Sequence, residues 1–296
     1  MYGTANSAVG VAEETPRNAI AKAVPVILHP TDFSPASDAA FIHAVKIALM
    51  TKGHLRLLHV GTEPHDPTLF PQVVGMLSSW GLMNPDGTLA DVERQLGVRV
   101  TKIEVTSSLP LGEMLMFLNE NPTDLLVLAT SGREGLPRWL HGSTAERLSR
   151  RAVTPTLFLN KDARGFVDPA NGQMRLQRII VPVDHHPRPG TALTFLVRLL
   201  AQLGAPDAVL HFLHFGGTPP EIRHHGSRET IQIQVRNGNP VDGIIQAACE
   251  LDADLIAMPT AGHDGPLDML RGSTTERVLR DAPCAVLAMP TRLHQL

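Results

Sequence analysis

Apolar and polar positions along the chain alternate between short strand-like runs and longer helix-like stripes, and they do so twice. The apolar run VPVILHP leads through Asp32 into the amphipathic stretch SDAAFIHAVKIALM, and RIIVPV leads through Asp184 into TFLVRLLAQLG. Each half then continues with a strand, a variable segment, a strand, a helix, a strand, a glycine-containing loop, a helix and a closing strand. This alternation predicts an α/β fold with a five-stranded, mostly parallel sheet in each half and helices on both faces.

The rear part of each half is repeated without a gap. TDLLVLATSGREGLPRWLHGSTAERLSRRAVTPTLFL recurs 130 residues later as ADLIAMPTAGHDGPLDMLRGSTTERVLRDAPCAVLAM. The front parts, matched at Asp32 and Asp184, lie 152 residues apart, so the first half has 22 extra residues in its middle. We therefore divide the chain into a flexible N-terminal arm (1–23), a first domain (24–160), a linker (161–176) and a second domain (177–296).

Composition and charge argue against nucleic acid and membranes as partners of this chain. The chain has 296 residues, of which 43% are hydrophobic and 19% charged, as in an ordinary globular protein. A formal net charge of -3 disfavours a broad basic surface for nucleic acid. The start has no signal-peptide pattern and no apolar stretch is long enough to span a bilayer, so a cytoplasmic protein without a membrane partner is expected. Cys249 and Cys284 are interpreted as core residues, which fits a reducing compartment.

A glycine loop follows the fourth strand of each half. Gly132 precedes Gly142-Ser143 by nine intervening residues, and Gly262 precedes Gly272-Ser273 by the same spacing. A helix that begins at such a serine offers free backbone N–H groups to a phosphate, and glycine lets the phosphate approach. Ser143 and Ser273 also fit a capping box with the glutamate three positions later, which is the structural interpretation of the same pattern. The two interpretations are compatible.

These segments together resemble a known family. The PTDFSPAS start, the LLHV strand, the glycine loop and the closing RAVTPTLFLN strand are similar to the universal stress protein family in its tandem, two-domain form. The resemblance covers nearly the whole chain apart from the arm and linker. It implies a Rossmann-like, adenine nucleotide α-hydrolase-like fold that binds ATP. Carried over by position, the nucleotide-binding residues would be Pro30, Thr31, Asp32, Val60, Ala129, Gly132, Arg133, Gly142, Ser143 and Thr144.

Both loops depart from the family's pattern. Its first glycine is Ala129 in the first half and Pro259 in the second, where proline fixes φ and removes an N–H donor. Arg133 becomes His263 and Arg138 becomes the acidic Asp268, which would repel phosphate. The first half is therefore expected to bind nucleotide better. In the diverged second half, the residues equivalent to the expected nucleotide-binding residues are Asp184, Gly262, Gly272, Ser273 and Thr274.

Histidines concentrate in the second half. They are His185, His186, His214, His224, His225 and His263. Imidazoles beside Asp184 would make a plausible set of ligands for zinc or a similar metal. Their spacing matches no metal motif, however, and His59 at the equivalent of His214 indicates that a histidine there can belong to the fold. We favour the interpretation that these histidines belong to the fold, and metal binding by them stays an open alternative.

No catalytic residues can be assigned. The sequence gives no Ser-His-Asp or Cys-His set, and no lysine follows Gly142 or Gly272 to neutralise a transferring phosphoryl group. A stress-response binding and signalling protein is favoured over an enzyme, with a weak ATPase or a ligand-free scaffold as alternatives. The apolar closing strands TPTLFLN and CAVLAMP are expected to pair as an intramolecular pseudo-dimer, and a further homodimer is left open.

Overall fold

The structure is a computed structural model that describes residues 24–64, 66–130, 154–160, 162–223, 230–261 and 274–291. The first half contains, in chain order, β1 (Val26–Pro30), α1 (Pro35–Thr51), β2 (His54–Gly61), a 3-10 turn (Pro67–Leu69), α2 (Val73–Ser79), α3 (Leu89–Leu96), β3 (Arg99–Thr106), α4 (Pro110–Glu120), β4 (Leu125–Thr130) and β5 (Thr156–Asn160). The second half contains β6 (Arg178–Pro182), α5 (Gly190–Gln202), β7 (Val209–Phe215), β8 (Ile233–Arg236), α6 (Pro240–Glu250), β9 (Leu255–Thr260), α7 (Thr274–Asp281) and β10 (Ala285–Pro290).

All ten of these strands form one sheet. Its order is β3-β2-β1-β4-β5-β10-β9-β6-β7-β8, and every pair within a half is parallel. Counted from its own first strand, each half has the same order, which reverses between β1 and β4 and again between β6 and β9. The predicted fold class, two tandem doubly wound α/β domains, is confirmed. In such sheets the crevice for a ligand lies at the carboxyl ends of the strands, at the reversal point.

The two closing strands join the halves. β5 and β10 pair antiparallel, with Phe158 opposite Val286 and Leu157 opposite Leu287. Every residue of both strands is buried. Apolar strands left at a sheet edge would expose unpaired backbone groups, and this pairing removes both edges.

Helices cover both faces of the sheet and form two cores. Ile27 of β1 packs on one face with Phe41 of α1, and Leu28 packs on the other with Leu115 of α4. Both cores continue across β5 and β10 into the second half. Because each central strand is covered on both sides, its sequence is almost continuously apolar. The longest described helix, α1, has 17 residues, and none of the helices described is long and apolar enough to cross a membrane.

The extra residues of the first half fold into α2 and α3. Thr88 and Asp91 form a capping box at the start of α3, and Gly97 ends that helix with a left-handed φ of 70°. Trp80, which follows α2, is buried in the hydrophobic core that also contains Phe41 of α1. The described part of the second half has no helix at the corresponding place, as the shorter sequence predicts.

The linker packs against the first half. Phe166 and Val167 are buried, and their backbone N–H groups donate to Nε2 of His43 at 2.9 and 3.3 Å. Because Nε2 accepts, the proton lies on Nδ1, which donates to a helix carbonyl oxygen 2.7 Å away. Trp80 Nε1 donates to the carbonyl oxygen of Pro169 at 3.0 Å.

The same linker is bound to the second half by two acidic residues between α6 and β9. Asp252 is paired with three arginines, and the bonds from Arg175 and Arg164 lower its pKa to about 2. Those partners are Arg164, Arg175 and Arg178. The buried carboxylate of Asp254 accepts the backbone N–H of Arg178 at 3.0 Å and forms an ion pair with Arg175, whose Nε lies 2.9 Å away. The linker is thus an ordered connection between the halves.

Two details of the sequence-based description are wrong. Cys249 was expected in the core and is exposed, whereas Cys284 is buried as expected. The buried stripe of α6 follows Val241, Ile244 and Ala248, and Cys249 lies off that stripe. The strand predicted over TIQIQV begins only at Ile233, where pairing with β7 starts.

Candidate functional site

Five of the predicted residues lie at the carboxyl edge of the first half, around the reversal point. Pro30 ends β1, Thr31 is buried directly after it, and Asp32 is exposed at the rim. Val60 lies near the end of β2, beside β1. Ala129 is the penultimate residue of β4, on the other side of β1. Parallel pairing therefore brings these positions to one edge of the sheet.

The Asp32 carboxylate is held by the start of α1. Its Oδ1 accepts from the backbone N–H of Ser34 at 3.0 Å, from Ser34 Oγ at 2.6 Å and from Ser37 Oγ at 2.7 Å. Partial burial raises the pKa of Asp32, but the hydrogen bonds from Ser34 and Ser37 outweigh it, so the pKa is lower than usual. Asp32 is consequently an ionised hydrogen-bond acceptor at neutral pH.

An aromatic cluster lies beside this carboxylate. Phe33 stacks on His59 with ring centroids 4.0 Å apart and meets the edge of Phe70 at 5.4 Å. Lys102 Nζ lies 5.7 Å from the centroid of the Phe70 ring, and burial lowers the pKa of that lysine. Phe33 has a φ of 60°, a left-handed conformation that is uncommon for a bulky residue. The surrounding stack holds the turn that carries Asp32.

His59 has a structural contact that its counterpart repeats. Its Nδ1 lies 2.8 Å from the carbonyl oxygen of Thr31, and Nδ1 of His214 lies 3.1 Å from that of Val183. Both rings are buried, and both secure the residue before the site aspartate. The interpretation of this histidine position as part of the fold is supported by these paired contacts.

Two further polar groups are buried in β1 and β4. His29 Nδ1 lies 3.0 Å from the carbonyl oxygen of Val127, while His29 Nε2 and Thr130 Oγ1 have no hydrogen-bond partner among the described residues. Burial lowers the pKa of His29 to about 4, although its bond to Val127 and the charge of Asp32 act in the opposite direction. His29 is therefore neutral behind the site.

The glycine loops lie outside the described residues, and so do the predictions that fall on them. These are Gly132, Arg133, Gly142, Ser143, Thr144, Gly262, His263, Asp268, Gly272 and Ser273. His224 and His225, in the middle segment of the second half, also lie outside the described residues. Thr274, the last of the second-half equivalents, is the exposed first residue of α7.

The equivalent edge of the second half is built differently. The Asp184 side chain is 64% exposed, and its Oδ1 accepts the backbone N–H of His185 at 2.7 Å and lies 3.9 Å from His214 Nδ1. His185 turns its Nε2 to the carbonyl oxygen of Thr218 at 2.9 Å and meets the His214 ring edge-on at 5.8 Å. The exposed His186 follows. Within the part of the chain that the structure describes, no three metal-ligating side chains are grouped.

Sequence reasoning missed the two serines that hold Asp32. Ser34 and Ser37 lie in the PTDFSPAS segment, and a serine just before an amphipathic helix is ordinarily interpreted as its cap. The signal for their role was the spacing itself, because Asp32, Ser34 and Ser37 lie within six residues at a strand-to-helix turn.

Fold and site together define a tandem, doubly wound α/β protein with a candidate ligand crevice at the carboxyl edge of each half. The sequence model of the universal stress protein family matches residues 25–160 and 220–290. This chain therefore belongs to the universal stress protein family, in its tandem form, and the resemblance inferred from sequence is confirmed.

Relatives and solved structures agree with this assignment. A universal stress protein of Methanocaldococcus jannaschii is 31% identical over 146 residues, covering 46% of this chain and 81% of the relative. One of Mycobacterium tuberculosis is 26% identical over 296 residues, covering 86% of this chain and 94% of the relative. The crystal structure of a universal stress protein from Archaeoglobus fulgidus has a TM-score of 0.55 at 18% identity, covering 90% of this chain and 98% of that one. The last likeness concerns the fold alone.

Proposed function

We propose that this stress-response family member binds an adenine nucleotide, ATP, at the carboxyl edge of its first half and acts as a binding and signalling protein. The observation that carries the proposal is the Asp32 carboxylate, fixed at the reversal point of the sheet by Ser34 and Ser37. ATP offers an amino group on adenine and hydroxyl groups on ribose, which are the donors that an ionised carboxylate accepts.

The rest of the proposed site follows from position. Pro30, Thr31 and Val60 would surround adenine and ribose beside Asp32, at the ends of β1 and β2. The phosphates would lie against the glycine loop that follows β4, where Gly132, Arg133, Gly142, Ser143 and Thr144 are the expected contacts. The charge of Arg133 would favour phosphate there.

The second half is proposed to be a diverged copy that binds nucleotide less well. Asp184 is mostly exposed and is held by one backbone N–H group, whereas Asp32 accepts three hydrogen bonds. Pro259 replaces the first glycine of the family's pattern in this half, and the acidic Asp268 stands where the first half has Arg138, a change that disfavours phosphate. A fixed acceptor binds more tightly than a mobile one, because less side-chain freedom is lost on binding.

Assembly and compartment complete the proposal. The antiparallel pairing of β5 with β10 supports an intramolecular pseudo-dimer in which each half contributes one crevice. The proposal includes a location in the cytoplasm and allows a homodimer of two such chains.

The proposal is tested by isothermal titration of ATP into the wild-type chain and two matched variants, Asp32→Ala and Asp184→Ala. Loss of a charge-assisted hydrogen bond should weaken ATP binding by about 10- to 100-fold in Asp32→Ala. Asp184→Ala should leave the affinity unchanged. Circular dichroism of both variants checks that they fold.

The same titration separates the alternatives. Equal loss in both variants, or loss only in Asp184→Ala, would contradict the assignment to the first half. Absence of ATP binding by the wild-type chain would favour the ligand-free scaffold. Release of phosphate from ATP by the pure protein, lost in Asp32→Ala, would favour the weak ATPase.

A further inference from the structure

Three hydrogen bonds from the start of α1 converge on one oxygen of the Asp32 carboxylate. Oδ1 accepts from Ser34 N, Ser34 Oγ and Ser37 Oγ within 3.0 Å. Ser37 is buried, and its hydroxyl approaches from the first turn of α1. Three donors on one oxygen fix the rotamer of the carboxyl group and leave Oδ2 as the oxygen for a ligand donor.

The serine at the start of α1 bonds to Asp32 and does not cap the helix. Ser34 is at the N-cap position, with φ −76° and ψ 153°, yet its side chain makes no capping hydrogen bond to the helix. A serine cap ordinarily stabilises a helix by accepting a backbone N–H bond in the first turn. Here the hydroxyl donates to Asp32 instead, so the local sequence favours the carboxylate over the helix end.

The turn between β1 and α1 is held from the other side as well. Thr31 Oγ1 accepts the backbone N–H of Phe33 at 3.1 Å, and the Phe33 ring stacks on His59. A left-handed φ of 60° on phenylalanine costs free energy and persists only where the surroundings determine it. Asp32 therefore lies between two fixed neighbours, which is how a binding group is preorganised.

The second half lacks this support because of its sequence. The positions equivalent to Ser34 and Ser37 are His186 and Pro189, counted from the matched aspartates. Proline has no donor, and Asp184 accepts only the backbone N–H of His185 among the bonds described around it. Pro189 cannot supply the donor that Ser37 supplies in the first half.

We propose that Ser37, together with Ser34, is a positioning residue that presents Oδ2 of Asp32 to an amino or hydroxyl donor of the bound nucleotide. This inference rests on the proposed function and adds the reason why the first half is the binding half. Ser37 acts through Asp32 and does not itself contact the ligand. The titratable neighbours on the adjoining strands are His29 of β1 and His59 of β2.

The test compares Ser37→Ala with Ser37→Thr, which keeps the hydroxyl, and with the matched control Ser79→Ala. Ser79 is an exposed serine near the end of α2, and its hydroxyl bonds only its own helix, to the Met76 carbonyl at 2.7 Å. Carbon-13 NMR of the aspartate carboxyl groups, recorded without ligand across the acidic range, reads the pKa of Asp32 in each protein. Calorimetry then gives the ATP affinity of the same samples.

Ser37→Ala should raise the pKa of Asp32 and weaken ATP binding about fivefold, the effect of one lost hydrogen bond. Ser37→Thr should restore both quantities toward wild type, and Ser79→Ala should change neither. An unchanged pKa of Asp32 in Ser37→Ala would overturn the positioning role. A raised pKa with unchanged ATP affinity would show that the bond does not serve binding. If the wild-type protein binds no ATP, the proposed function is wrong, and so is the inference that Asp32 Oδ2 is presented to a nucleotide. The NMR titration still decides whether Ser37 holds Asp32.

Discussion

The contact between His43 and the linker predicts how stability depends on pH. The imidazole is 2% exposed, and its Nε2 accepts the backbone N–H groups of Phe166 and Val167. Burial lowers the pKa of His43 from 6.5 to about 4, although its bond to the Ala39 carbonyl acts in the opposite direction. A protonated ring has no acceptor, so protonation removes both linker bonds.

The direction in which stability changes with pH follows from the number of protons bound by the folded and unfolded chains. Between the unfolded pKa of 6.5 and the folded pKa of about 4, the unfolded chain binds more protons at His43 than the folded chain does. The stabilising contribution of the neutral ring is therefore complete above the unfolded pKa and is lost as the pH falls through this window. The full shift corresponds to about 3 kcal/mol, and lowering the pH to about 5 removes roughly 2 kcal/mol of it.

The perturbation is His43→Leu, which keeps the apolar volume and removes the acceptor. Two buried N–H groups then lack a partner, and the free energy of unfolding near neutral pH should fall by about 2–5 kcal/mol. Urea unfolding at neutral pH and near pH 5 measures both effects. The variant should also lose less stability than wild type on acidification, by about 2 kcal/mol.

His211→Leu serves as the control, because His211 is only half-buried and no hydrogen bond of its ring is found among the described residues. His29, whose pKa is also about 4, titrates equally in all three proteins and cancels in the comparison. An unchanged stability of His43→Leu, or the same pH dependence as wild type, would refute the reasoning.

Two further predictions concern the linker and the thiols. Gly172→Ala should lower the free energy of unfolding by about 2 kcal/mol or more, because Gly172 has a φ of 67° and a Cβ there would lie 2.5 Å from the Trp80 ring. Gly217→Ala, where a Cβ meets nothing within 4 Å, should be nearly neutral in the same urea titration, and equal effects would contradict the packing argument. A thiol reagent at mildly alkaline pH should modify Cys249 rapidly and Cys284 only after unfolding, since burial raises the pKa of the Cys284 thiol to about 12. Equal rates for the two cysteines in the native protein would be the contrary result.

Much of the fold can be predicted from the sequence because its signals are local and repeated. The apolar runs that end at Pro30 and Pro182 become β1 and β6, and the closing strands expected to protect each other pair through Phe158 and Val286. The 22 extra residues accommodate two additional helices. The duplication made the fold easier to predict, because the pattern in each half supports the interpretation of the other.

Long-range contacts were not predictable in the same way. His43 fits an amphipathic helix, and nothing near it in sequence indicates that its ring accepts from Phe166 and Val167, 123 and 124 residues away. Asp252 and Asp254 likewise resemble an ordinary helix-to-strand turn until the arginines of the linker fold against them. Such contacts depend on where the chain returns, which local periodicity does not specify.

The candidate site was predicted in outline and missed in detail. The position of Asp32 at the reversal point follows from strand order, and its place at that edge was expected. The donors that fix it were not foreseen, because a serine before a helix usually caps that helix. Here the structure adds that the hydroxyl groups of Ser34 and Ser37 are directed to Asp32 instead.

Native mass spectrometry of the wild-type chain titrated with ATP tests whether the first half alone binds nucleotide, because it counts the nucleotides bound to each 32.0 kDa chain. We expect one ATP per chain at concentrations that saturate the first half, and the loss of that single adduct in Asp32→Ala but not in Asp184→Ala. Two adducts of equal strength, or one that persists in Asp32→Ala, would contradict it.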